Sequence, residues 1–178
     1  MKVKRALDLL AHAVPSKFST LAGCLPGGIA VELADYANGW FDSDQKACVL
    51  GAEFVEASDA IDIAFTVMHE LSHARLEHFG FSYDEGTRLR IERLCVSQEI
   101  FLASRLLRDG HCPPATVDAL RRKRDGLCQE QFSDRALTAL RRKEILQRAQ
   151  VLGTRVPWFI RLLLLRATKR RLRRLRRP

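Results

Sequence analysis

Residues 66–78 read TVMHELSHARLEH and hold three of the chain's five histidines. Two of them, His69 and His73, stand four apart, with Glu70 next to the first. An α-helix turns about 100° per residue, so side chains four apart project within ~40° of each other, one turn apart. Two imidazoles so placed can share one divalent ion, and the adjacent carboxylate can reach a water at that ion. The surrounding text is apolar on more than one side, with DIAFTVM before the pair, Leu71 between the histidines and Ala74 just after them. That composition suits a buried helix. Histidines and a glutamate inside such a helix need partners, and a metal ion supplies them where the polar face of an ordinary amphipathic helix does not.

A catalytic zinc takes three protein ligands and leaves one position open. The helix is expected to start near Ser58, with Asp59 and Asp62 at its acid-favouring end, and to stop at Gly80. Ser82 and Glu85 have capping-box spacing, so a second helix is expected from about Ser82 through RLRIERLCVSQEIFLASRLL to Gly110. If the two fold back on each other, His73 and His69 rise ~14 and ~20 Å above the turn, at ~1.5 Å per residue. Glu92 rises ~15 Å, Glu85 ~5 Å and Glu99 ~26 Å. Glu92 is therefore the expected third ligand. Glu99, two turns further on the same face, is placed to hold a histidine N–H or to serve as an alternative ligand. His78, five residues past His73, points ~140° away. For the oxyanion of a reacting carbonyl, Tyr83, Arg88 and His111 are the conceivable donors.

Elsewhere, apolar periodicity predicts a helix over 3–14, closed by Pro15. GIAVELAD alternates as a strand does, with Ile29, Val31 and Leu33 on one side. Gly39 to Asp42 and residues 47–54 read as a hairpin turning at Asp42–Gln45. Helices rich in Arg and Leu are expected at roughly 115–131 and 133–150.

The net charge of +9 is concentrated at one end. Residues 153–178 carry ten Arg or Lys and no acid, which leaves residues 1–152 at −1. The segment RVPWFIRLLLLRATKRRLRRLRRP joins an apolar patch to an arginine run. Three readings are open for it: an anionic membrane surface, nucleic acid, or an apolar part packed on the domain with solvated arginines. Its apolar run is too short to span a bilayer. The five cysteines form no CxxC pair and suggest neither a disulfide framework nor a cysteine zinc site. Asp8 and His12 interrupt the first apolar stretch, which reads as an amphipathic helix rather than a signal peptide. A reducing cytoplasm is the expected location, with membrane or nucleic-acid association through the tail.

HELSHARLEH, with Glu92 downstream, resembles the gluzincin group of zinc metallopeptidases. The hairpin text ANGWFDSDQKACVLGAEF is similar to the strand pair preceding the active-site helix in small cytosolic ImmA/IrrE-type peptidases. The likeness covers about residues 28–108. It implies zinc on His69, His73 and a downstream glutamate, Glu70 as catalytic base, and an edge strand at Gly39, Trp40 and Phe41 receiving the substrate backbone. It also implies a protein substrate, since members with known roles cleave repressor proteins. The family's E-A-x-x-F-A stretch is absent: Glu92 is followed by Arg93, and IFLASRLL comes after Glu99, so both glutamates stay candidates.

The expectation is thus an α+β protein. A zincin-like domain over 1–110 has a short antiparallel sheet, an active-site helix and a ligand helix. A helical extension over 111–152 and an apolar-then-basic tail over 153–178 follow. Its expected activity is zinc-dependent peptide hydrolysis of a protein substrate. The alternative is a non-enzymatic protein associated with nucleic acid or membrane, its metal structural or absent.

Overall fold

The computed structural model describes residues 2–33 and 37–139. It is α+β, with helices packed against one small sheet. Contacts divide the chain at Ser133/Asp134 into two units. Of the second unit, residues 134–139 are described, and they are helical. Most of the expected helix at 133–150 and all of the basic tail at 153–178 lie outside the described residues. Among the described residues no helix is long and apolar enough to cross a membrane.

Helix α1 spans Lys2–Ala13 and seats Ala6 and Leu10 in the core. Pro15 does more than end it. As the first residue of α2, Pro15–Ala22, it starts a helix that periodicity alone did not reveal, because proline's missing N–H is harmless at that position.

The sheet runs β1 (Ile29–Glu32), β3 (Ala47–Gly51), β2 (Gly39–Asp42) in space. β2 pairs antiparallel with β3, Trp40 opposite Val49 and Phe41 opposite Cys48. β1 pairs parallel with β3, Ile29 opposite Cys48, so the sheet is mixed and not purely antiparallel as expected. All five β3 residues are buried, as suits a central strand. The alternation of Ile29, Val31 and Leu33 does not mark a buried side, since Val31 and, just past the strand, Leu33 are exposed. Asp42 closes the hairpin, its Oδ1 accepting the N–H groups of Asp44 and Gln45 at 2.9 and 3.0 Å. The strand expected to reach residue 54 stops at Gly51, and helix α3 takes Ala52–Ala57.

Helix α4, Ala60–His78, carries the histidine pair. Asp59, not Ser58, caps it, accepting from the N–H groups of Ile61 and Asp62 at 2.8 and 2.9 Å. At its end Gly80 adopts φ 80°, and the Gly80 and Phe81 N–H groups return to the carbonyls of Glu77 and Leu76. That is a Schellman stop, which an L side chain at Gly80 would strain.

Helix α5 begins at Arg88, six residues later than expected, and runs to Arg108. The Ser82–Glu85 box does not form. Asp84 competes successfully: its Oδ1 accepts the N–H groups of Gly86 and Thr87, each at 3.1 Å, and its Oδ2 accepts the Ser82 hydroxyl. A loop over 81–87 results. Gly110, at φ 74°, ends α5, and Pro114 opens α6, Pro114–Asp125. A 3-10 turn at Gln129–Phe132 takes the end of the expected 115–131 helix. α4 sits among α1, α5 and the sheet, and Leu10, Leu50, Ile63, Met68, Leu71 and Leu102 form the centre of the core.

Candidate metal centre

His69 and His73 face α5 from one side of α4, their ring centroids 5.0 Å apart and their Nε2 atoms 3.2 Å apart. Glu92 on α5 meets both. Its Oε2 lies 3.2 Å from His69 Nε2 and its Oε1 3.3 Å from His73 Nε2. Glu99 does not reach that cluster of Nε2 atoms. It stands behind His69, with Oε1 2.6 Å from Nδ1. Although α5 starts late, Glu92 faces both histidines and Glu99 reaches only the far nitrogen of His69.

Two side chains that pattern reasoning did not single out complete the cluster. Cys95, fully buried, offers a sulfur that lies with one nitrogen of His69 and one of His73 inside a mutual separation of 4.8 Å. These three residues could hold a metal ion. The available signal was spacing: Cys95 is three residues after Glu92 and shares its helix face. Lys123, on α6, places Nζ 3.0 Å from each oxygen of Glu99. No local pattern points to it, since the partners are 24 residues apart.

Both ring nitrogens of His69 face carboxylates. Burial alone would lower its pKa, but Glu92 and Glu99, reinforced by Glu70, outweigh that and raise it to about 10. The complementary effect falls on Glu92. Burial would raise its pKa, yet the two histidines hold it well below the usual carboxylate range. Burial, followed by the charges of Glu92, Glu70 and Glu99, pushes the Cys95 thiol up.

Glu70 is only 7% exposed. Burial pushes its pKa up, His69 and His73 oppose this, and Phe41 contributes a backbone hydrogen bond. That bond locates the sheet edge. Asn38 C=O accepts from Gly51 N–H at 3.0 Å, toward β3. Backbone alternation then turns the polar groups of Gly39 and Phe41 to the outer side of β2. Phe41 N–H meets Glu70 on that side. Gly39 permits the approach, because a Cβ there would lie 2.8 Å from Thr66 Cγ2 on α4. Phe41 itself packs against the core, and Trp40 is half-buried.

Of the conceivable oxyanion donors, Tyr83 is at the site. Its hydroxyl donates to Glu92 Oε1 at 2.5 Å, and its ring stands edge-on to His73 at 5.5 Å. Burial, then the Glu92 charge, pushes its phenol up, so it stays a donor. Arg88 lies over the Tyr83 ring at 5.6 Å and donates to Phe132 C=O. His111 is exposed beyond the far end of α5, and His78 is exposed against Phe79.

No protein-family model matches the chain, and searches of curated proteins and of solved structures return no match.

Proposed function

We propose that the chain is a zinc-dependent peptidase in which His69, His73 and Glu92 hold the ion and Glu70 is the general base. The donor spacing carries this reading. Zinc–nitrogen bonds of ~2.0–2.1 Å in a tetrahedron separate neighbouring donors by ~3.3 Å. Here the two Nε2 atoms lie 3.2 Å apart, and each has a different oxygen of the Glu92 carboxylate beside it, Oε2 at 3.2 Å from His69 and Oε1 at 3.3 Å from His73. Nitrogen and carboxylate donors also match zinc's chemistry.

An ion held there supplies a Lewis acid that makes water nucleophilic near neutral pH. The chain's own groups do the rest. Glu70, its pKa lifted toward the working range of a base, takes the attacking water's proton and returns it to the leaving amine. Tyr83, whose O–H is given to Glu92 Oε1 in the resting site, turns it to the carbonyl oxygen as negative charge develops there. An extended peptide lies along the outer side of β2, pairing by strand addition with the Gly39 backbone and the Phe41 carbonyl, the Phe41 N–H being held by Glu70. The substrate class this favours is an unstructured protein segment.

Cys95 favours a second reading. Were its sulfur a fourth ligand, no position would remain for water, and the ion would be structural. Glu70→Gln separates the two. With a labelled unfolded protein such as casein as probe, the peptidase reading predicts about 10²–10⁴-fold lower kcat with metal content unchanged. Equal turnover by wild type and variant would sink it.

A further inference from the structure

Glu99 and Lys123 have no task in the chemistry above, yet Glu99 is 3% exposed. A carboxylate at that depth requires a charge partner and filled hydrogen bonds. Lys123 provides them, with its side chain 51% exposed and its Nζ 3.0 Å from both oxygens. The contact is directed by α6. Val117 and Leu120 turn to the core, and Lys123 lies one further three-residue step along that face. Its neighbour Arg121 instead pairs with Asp118 on the exposed side. The Lys46–Glu77 pair offers a contrast, because both partners there are substantially exposed and neither leads to a buried group.

Gripped at both oxygens, Glu99 cannot swing. Its Oε1 in turn meets His69 Nδ1 at 2.6 Å. A histidine bonded through Nδ1 has its ring plane and tautomer set, so that Nε2 is the ligating atom. We infer that Lys123 is a positioning residue for the metal centre: through Glu99 it fixes the His69 ring and keeps Nε2 directed at His73 and Glu92. Helix α6 then belongs to the site without contributing a ligand. This rests on the metal-centre reading.

The test is zinc affinity, by competition with a chromophoric chelator, for full-length wild type, Lys123→Met, Lys123→Arg, Glu99→Gln and the Lys123→Met/Glu99→Gln double variant. Cobalt(II) absorption spectra follow for each. Lys123→Met is expected to weaken zinc binding about 10–100-fold and to alter the cobalt bands, effects typical of losing a ligand's supporting partner. Lys123→Arg is expected to restore most of the affinity. In the Glu99→Gln background the Lys123 change should add almost nothing, since both act through one contact. A folded Lys123→Met with wild-type affinity, or losses that add fully in the double variant, would overturn the inference and leave the metal centre standing. Wild type that binds neither zinc nor cobalt would overturn both.

Discussion

Helix α5 lies against α4 in two different ways. From Leu102 to Leu106 its inner face is wholly apolar and fully buried. From Glu92 to Glu99 the same helix turns two carboxylates and a thiol toward two histidines and a third carboxylate. The first half is held by the removal of hydrocarbon from water. The second also buries Val96, but its carboxylates are held only as far as they find partners, among them His69, His73 and Lys123. One half of the helix pair therefore pays for the other. The contrast separates what stabilises this fold from what it can bind.

That separation can be broken by substitution. The largest expected effect is on the apolar side: Leu102→Ala should lower unfolding free energy by about 2–5 kcal/mol. Zinc stoichiometry at temperatures where the variant is folded should not change. Loss of zinc from the folded variant would mean the two halves are not independent. On the polar side, Glu92→Ala should weaken zinc binding about 10–100-fold more than Glu99→Ala, the difference between losing a ligand and losing its support. Equilibrium dialysis decides it, and the reverse order would make Glu99 the ligand.

A smaller effect follows from protonation. His69, raised from 6.5 to about 10, contributes stability to the metal-free protein that is complete below about pH 6.5 and is lost as pH rises through about 10. Zinc must displace that proton, so apparent affinity should rise by up to about tenfold per pH unit until about pH 10, with His69 releasing one proton per ion. Calorimetry in buffers of different ionisation enthalpy measures the release. No proton released at pH 7.5 would contradict the pairing of His69 with Glu92 and Glu99.

Periodicity made the apolar half legible, and the histidine spacing made α4 legible. The placement of Glu92 and Glu99 followed from helical rise, even though the helix start on which it was based was misplaced. Asp84 explains the later start, because its carboxylate draws the Gly86 and Thr87 N–H groups into a turn ahead of Arg88. Local text contains only nearest-neighbour preferences and cannot rank three competing acceptors. The parallel pairing of β1 was hidden for a related reason: strand order depends on which edge of β3 is free, not on the text of β1. Cys95 carries no pairing signal along the chain, because the groups beside it are histidines on another helix. Lys123 could not be read at all, since it reaches the site across α6 and α5.

The central claim is that the α4–α5 cluster is a metal centre. The most direct test is metal content by mass spectrometry, on protein purified without a chelating tag, beside the His69→Ala/His73→Ala variant. The account predicts about one zinc per chain in the wild type and none in the fraction of the variant that circular dichroism shows to be folded, since losing both histidines also deprives Glu92 and Glu99 of partners. A wild type that carries no metal, while both proteins fold equally well, would contradict it.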